Sequence, residues 1–133
     1  MKKEIVEVAG AKRPTLPDGS RVVALSPAVK AGGFVFCSGT YPLDMATGEI
    51  ITGDIQVQTR QCIENLKKVL EAAGTNLDNV VKVTIFCSNS GYFQKVNEVY
   101  NDYFQVDSPA RTFVTVGSWM AAFDIEIECT AIS

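Results

Sequence analysis

The segment between Asp54 and Gly74 constrains the fold most strongly, because its apolar residues recur at helical spacing. Asp54 can cap the start of a helix with its side-chain oxygen, and Gly74 can end the helix in a left-handed conformation. One face of this predicted helix carries Ile55, Thr59, Cys62, Ile63, Leu66, Val69, Leu70 and Ala73. A helix with a single apolar face must bury that face against another layer of secondary structure.

Short apolar or alternating segments on both sides of this helix predict β-strands. These are Lys3–Val8, Ala28–Lys30, Phe34–Cys37, Val80–Ser88, Arg111–Gly117 and Ile125–Ile132, with loops at Ala9–Ser26 and Tyr41–Gly53. Alternation places Val81, Val83, Ile85 and Cys87 on one face of the fourth strand. A second helix is predicted from Gly91 to Phe104, with Ser90 as its cap and Phe93, Val96, Asn97, Tyr100 and Phe104 on its buried face.

The resulting order, β-β-β-α-β-α-β-β, predicts an α+β sandwich with two helices packed on one face of a mixed sheet. We expect the last two strands to be antiparallel neighbours joined by the loop that holds Ser118–Met120. The opposite face of the sheet would expose Phe34 or Phe36, and an apolar patch of that kind is unusual for a monomer. The sequence therefore predicts a homo-oligomer in which uncovered sheet faces pack together.

The composition fits a single globular domain over residues 1–133, with 47% hydrophobic and 20% charged residues. The net charge of −3 and the lack of an unbroken basic patch argue against a nucleic-acid partner. No apolar run reaches transmembrane length and no signal peptide is evident, so we expect a cytoplasmic protein. The chain has no histidine, and its cysteines (Cys37, Cys62, Cys87 and Cys129) are far apart. We therefore expect no metal site and reduced, buried thiols.

Charged residues in the last two strands form the candidate site. Alternation puts Glu126 and Glu128 on one strand face, about 7 Å apart, and Arg111 begins the strand predicted to be their neighbour. An ordered arginine suits a planar carboxylate, and a nearby glutamate can orient or deprotonate a water. The alternatives are ordinary surface glutamates and a structural salt bridge. A functional pair would hydrolyse a small carboxylate-bearing substrate without a metal or a covalent nucleophile.

Two further polar positions lie within otherwise apolar elements. Asn97 follows Phe93 by four residues, so it shares the inward face of the second helix and either ties loop backbones together or lines a polar pocket. Ser38–Gly39 ends an apolar strand, where a backbone N–H and a hydroxyl could meet a ligand. Neither signal is specific by itself.

Motifs along residues 26–133 extend these observations. They are Ala28–Gly32, Phe34–Gly39, Pro42–Asp44, Thr47–Gly48, Gln58–Gln61, Asn65–Leu66, Val96–Tyr100, Pro109–Arg111 and Ile125–Glu128. In this order and spacing the chain resembles the RidA/YjgF family of reactive-intermediate deaminases. The resemblance implies a chorismate-mutase-like fold and a homotrimer with ligand clefts between subunits.

The resemblance also implies an activity, the hydrolysis of 2-imino acids or enamines such as 2-aminoacrylate to 2-keto acids and ammonia. This activity protects pyridoxal-phosphate enzymes and requires no cofactor. By the resemblance, Arg111 matches the carboxylate-binding arginine and Glu126 the glutamate that places the attacking water. The cleft-lining positions are matched by Ser38, Gly39 and Asn97, and Phe113 stands where the family often has a small residue whose backbone meets the ligand.

Three departures from the family pattern fall near the expected substrate. Leu25 stands where many members have a cleft tyrosine, Ser118–Ala122 replaces a Leu-Pro loop, and the Pro14–Arg21 segment is longer than usual. These departures leave the substrate range open. Two alternative functions also stay open, a non-catalytic trimer that binds or senses small carboxylates and an endoribonuclease or translation inhibitor. The acidic charge and the missing histidine argue against the second.

Overall fold

A computed structural model describes residues 2–12, 17–20 and 22–133. Its element order is the predicted one: β1 (Glu4–Val6), β2 (Ala28–Ala31), β3 (Phe34–Cys37), α1 (Ile55–Ala72), β4 (Val80–Cys87), α2 (Phe93–Tyr103), β5 (Ala110–Thr115) and β6 (Ile125–Ile132). The described part of the predicted loop at 9–26 contains no helix or strand. Residues 13–16 and 21, which fall in this loop and in the long Pro14–Arg21 segment, lie outside the described residues.

The six strands form one mixed sheet in the order β1-β2-β3-β6-β4-β5. Only β4 and β5 pair in parallel, and the other neighbours are antiparallel. The expectation that β5 and β6 are neighbours is therefore wrong, because β4 lies between them. The cause is α2, which forms a crossover long enough to return the chain parallel to β4 at its outer edge. The last strand then fills the place between β3 and β4.

Both helices pack on one face of the sheet, which confirms the α+β sandwich. The Asp54 side chain caps α1 by accepting a hydrogen bond from the Val57 N–H at 3.0 Å. Gly74 has a φ of +84°, a conformation that favours glycine, and it follows the end of the helix as predicted. The predicted apolar face of α1 is buried, and the helix packs against β3, β6 and α2. All four cysteines are buried and free. No helix in the described part of the chain is long and apolar enough to cross a membrane.

The start of β4 differs from the predicted alternation. Val80 is buried, whereas Val81 is 38% exposed, because the register with β6 shifts between Val80 and Lys82. A bulge of this kind moves one residue to the other face of the strand. The alternation from Val83 onward follows the prediction.

The start of α2 also differs from the prediction. A 3₁₀ turn at Ser90–Tyr92 precedes the helix, and its cap is Asn89, which accepts a hydrogen bond from the Gly91 N–H at 2.7 Å, rather than Ser90. Phe93 is 43% exposed instead of buried. Its ring packs edge-on against Phe113 in the edge strand β5, where no further strand covers the pair.

The sheet face opposite the helices is uncovered in the single chain. Phe34 and Phe36 of β3 are 42% and 47% exposed, and their rings contact each other with centroids 6.1 Å apart. The patch is the one anticipated from the sequence. Its coverage by a second copy of the chain stays a prediction.

Candidate functional site

Arg111 lies on the helix-covered face of β5, in register with the fully buried Val83. Its Nη1 donates a hydrogen bond to Asn97 Oδ1 at 2.8 Å. The guanidinium carbon is 4.8 Å from the centroid of the Tyr100 ring and 5.6 Å from that of Phe93. These contacts orient the guanidinium through one hydrogen bond and two cation–π interactions.

The charge of Arg111 is not neutralised within the described part of the chain, where Arg111 forms no ion pair. Within one chain, therefore, Arg111 forms no structural salt bridge to Glu126 or Glu128. An arginine that is oriented but has no acidic partner retains N–H groups for a bidentate anion. The arrangement suits a substrate carboxylate.

Phe113 extends this arrangement along the open edge of the sheet. Its ring lies edge-on to Phe93, with centroids 5.1 Å apart and an interplanar angle of 85°. The Val116 N–H donates to Cys87 O in β4 at 2.9 Å. Because N–H groups alternate in direction along a strand, those of Arg111 and Phe113 point away from β4, toward the open edge. A backbone donor is thus available two residues from the guanidinium.

Glu126 lies on the opposite, uncovered face of the sheet, in register with Phe86 of β4. Its carboxyl group packs against the backbone of Gly39, just after the end of β3. A Cβ atom at position 39 would lie 2.8 Å from Glu126 Cδ, so a larger residue here would displace the Glu126 side chain. Gly39 therefore permits the close approach of this carboxylate to the chain.

Burial raises the pKa of Glu126 above its usual value, the hydrogen bond from the Trp119 indole lowers it, and the Glu128 charge raises it. The net change is upward. The Trp119 ring packs at a tilt of 34° against Phe123, and Phe123 stacks on Tyr41, with centroids 5.0 and 5.2 Å apart. Burial raises the pKa of Tyr41, and the Glu126 charge raises it further, so the aromatic row borders the carboxylate. A half-buried glutamate with a raised pKa is suited to exchanging a proton with water.

Ser38 differs from its expected role as a donor to a ligand. Its backbone N–H donates to Pro27 O at 2.9 Å, and its hydroxyl donates to Ser26 O at 2.6 Å. Both groups tie the end of β3 to the residues just before β2. The hydroxyl oxygen keeps only its capacity to accept a hydrogen bond.

The predicted site residues thus form two groups. The Arg111 half-site comprises Arg111, Asn97 and Phe113, and the Glu126 half-site comprises Glu126, Ser38 and Gly39. The expected direct pairing of Arg111 with Glu126 is wrong within one chain. Arg111 lies on the helix-covered face of the sheet, whereas Glu126 lies on the uncovered face. One chain does not bring the half-sites together.

Sequence reasoning did not identify four aromatic residues beside the half-sites: Phe93, Tyr100, Tyr41 and Phe123. Phe93 and Tyr100 flank Asn97 at helical spacing, so a polar residue inside an apolar stripe marks the surface that holds Arg111. The Tyr100 hydroxyl is buried without a hydrogen-bond partner among the described residues. The sequence pattern did not identify Tyr41 and Phe123 as site residues, because their proximity to Glu126 depends on pairing between distant segments. Within the described residues, no cluster of side chains could hold a metal ion.

The family model described as Endoribonuclease L-PSP matches residues 20–133. The chain belongs to this family, the RidA/YjgF family that its motifs resemble. It is similar to a RutC family protein of Pyrococcus horikoshii, with 44% identity over 97% of each chain. It is also similar to the chloroplastic Reactive Intermediate Deaminase A of Arabidopsis thaliana, with 36% identity over 95% of this chain and 69% of that one.

Solved structures match the fold over nearly the whole chain. A putative endoribonuclease of Thermotoga maritima has a TM-score of 0.88 and 42% identity, covering 100% of this chain and 98% of that one. E. coli TdcF, solved with bound serine, has a TM-score of 0.83 and 32% identity, covering 98% of each chain. The names of the relatives thus include both deaminases and endoribonucleases.

Proposed function

We propose that the protein hydrolyses 2-imino acids to 2-keto acids and ammonia, in clefts where the Arg111 half-site of one copy meets the Glu126 half-site of another. The observation that carries this proposal is the Arg111 guanidinium, oriented by Asn97 and two aromatic rings and lacking an acidic partner among the described residues. The name of the Arabidopsis relative and the amino acid bound to TdcF support a small carboxylate substrate.

The protein does not need to activate the substrate carbon, because the carbon of a protonated imine is already electrophilic. Arg111 binds the substrate carboxylate, and Glu126 orients a water and accepts its proton as the oxygen attacks that carbon. The same proton then passes to the nitrogen. As the C–N bond breaks and ammonia leaves, Glu126 takes the remaining hydroxyl proton, the C=O bond of the keto acid forms, and Glu126 releases this proton to water. A carboxyl group with a raised pKa can both accept and return this proton. Positioning supplies several kcal/mol of the barrier.

Assembly of the cleft from two copies follows from the separation of the half-sites. Arg111 and Glu126 face opposite sides of the sheet, so a complete site requires another copy. The exposed rings of Phe34 and Phe36 provide an apolar surface on the face that carries Glu126. A homotrimer of the kind that the resemblance implies would cover this surface and close three such clefts.

The test uses imines of defined side chain, generated in the assay by a flavin amino-acid oxidase, and follows keto-acid release. We expect Arg111→Ala to lower kcat/KM at least 100-fold, because the carboxylate loses its bidentate partner. Arg111→Lys should recover only part of the loss, since an ammonium cannot form the paired contacts. Arg60→Ala is the matched control, because Arg60 is an exposed arginine that pairs with Asp102 at 3.0 Å on the helix layer. Full activity of Arg111→Ala would refute the proposal.

The same variants separate the alternative functions. A non-catalytic binder would bind 2-keto acids in an Arg111-dependent manner, measured by calorimetry, and turn over no imine. The endoribonuclease alternative, favoured by the family description and by the name of the Thermotoga protein, would show RNA cleavage that is lost in Glu126→Gln. The cytoplasmic location stays a prediction, since one relative is named as chloroplastic.

A further inference from the structure

A cavity of about 240 Å³ lies beside the Glu126 half-site. Its walls are the Ser38–Tyr41 segment, the inner side of α1 at Asn65 and Val69, and the chain before β2. Most of the side chains that line it are apolar, among them Val8, Val22, Val23, Leu25, Leu43 and Met45. The mechanism described above uses none of these apolar residues.

The cavity and the reacting centre share one wall. Gly39 and Tyr41 line the cavity, and the same two residues border the Glu126 carboxylate, with Gly39 in contact with it. At its nearest point the cavity is therefore separated from the Glu126 carboxylate by only one residue of the chain. Val22 and Val23 are 53% and 59% exposed at the outer wall, so apolar surface continues from the cavity to the outside.

We propose that this cavity receives the side chain of the substrate and selects 2-imino acids with apolar side chains of leucine or methionine size. This inference rests on the proposed function, which it narrows to a substrate class. A liquid water takes up about 30 Å³, so the cavity has room for roughly eight groups of that size, more than the methyl or methylene group of the smallest imines requires. Filling it with hydrocarbon removes apolar surface from water on both partners.

The expected selectivity is large enough to measure. Each buried methylene favours binding about fourfold, so the imine derived from leucine should exceed that derived from alanine by at least tenfold in kcat/KM. An oxidase generates both imines in the assay. Equal kcat/KM values, or a preference for the alanine-derived imine, would overturn the inference while leaving the proposed function intact.

Val8→Phe tests the cavity itself, because Val8 lines it and is only partly buried. The larger ring should lower kcat/KM for the leucine-derived imine at least tenfold and leave the alanine-derived imine nearly unchanged. Val57→Phe introduces the same change on an exposed position of α1 outside the cavity and should alter neither value.

Val8→Ala, which enlarges the cavity, should raise the kcat/KM for the bulkier phenylalanine-derived imine relative to the leucine-derived one. Equal losses on both short and long substrates would contradict a side-chain pocket.

Binding measurements keep this inference separate from the proposed activity. If no imine is turned over, calorimetry with 4-methyl-2-oxopentanoate and pyruvate still compares the long and short side chains. The cavity predicts tighter binding of the longer keto acid, and Val8→Phe should remove this difference. Equal affinities in the unmodified protein would refute the cavity as a side-chain pocket, whatever the protein catalyses.

Discussion

The protonation of a single carboxylate depends on its immediate neighbours. Burial raises the pKa of Glu126, and the indole of Trp119 opposes this change by donating a hydrogen bond to the charged form. The Trp119 ring is held in turn by its contact with the Phe123 ring, with centroids 5.0 Å apart. The loop that holds Trp119 therefore helps to position the carboxylate.

Replacing Trp119 by Phe keeps an aromatic ring against Phe123 but removes the N–H donor. Because that hydrogen bond lowers the pKa of Glu126, its loss should raise the pKa further. If ionised Glu126 positions the water, the acid limb of the kcat/KM profile moves to higher pH, and the loss of activity is largest at low pH. Carbon-13 NMR titration of the Glu126 carboxyl group measures the same shift without an activity assay.

Met120→Ala serves as the control for this substitution, because Met120 is the next residue and is fully exposed. The dependence of kcat/KM on pH for Met120→Ala should coincide with that of the unmodified protein. A Trp119→Phe profile that coincides with the unmodified one would show that the indole does not position Glu126.

At the scale of elements, α1 does more than cover the sheet. Asn65 is buried on its inner face, and its side-chain N–H groups donate to Leu43 O at 2.8 Å and to Tyr41 O at 3.1 Å. Its Oδ1 accepts a hydrogen bond from Gln61 at 2.9 Å. One amide thus fixes the loop that carries Tyr41 past the Glu126 half-site and forms a wall of the cavity.

Asn65→Ala should lower the free energy of unfolding by about 1–3 kcal/mol, because it removes two hydrogen bonds that tie the loop to α1, although Leu43 O keeps the donor Gln61 and Tyr41 O keeps the Leu43 N–H. Lys67→Ala, an exposed position on the same helix, should change it by less than about 0.5 kcal/mol. Chemical denaturation at one fixed protein concentration measures both values, which avoids the concentration dependence of an oligomer. Similar stability of the two variants would mean that the loop does not depend on the amide.

The elements also show what periodicity can predict. The spacing of apolar residues gave both helices and all six strands, since each repeat reflects one buried face. It could not reveal that β6 lies between β3 and β4, because strand order depends on pairing between distant segments. The bulge at Val80–Lys82 was not predicted either, because the extra residue that shifts the alternation has no recognisable sequence pattern. Alternation predicted the face of Glu126, whereas the face of Arg111 depends on the register of β5 with β4, so the two residues were paired wrongly.

At the scale of the whole molecule, the separation of the half-sites carries the strongest consequence. Each residue group is ordered by contacts within its own chain, so both half-sites exist before any assembly. Joining them requires only that two copies dock with the edge strand β5 of one near the uncovered face of the other. A symmetric ring would repeat this contact around a closed axis. Activity would then depend on assembly, although the residues of each half-site are already ordered within the single chain.

Mixing two inactive variants tests this arrangement directly. Arg111→Ala lacks one half-site and Glu126→Gln lacks the other, so each assembly of a single variant should be inactive. When the two are co-expressed in equal amounts and assemble at random, a neighbouring pair supplies both intact half-sites in about one case in four. We therefore expect about a quarter of the unmodified activity per chain in the mixed assembly. Sites contained within one chain would recover nothing on mixing, because every chain would still lack Arg111 or Glu126, and that result would exclude a cleft shared between copies.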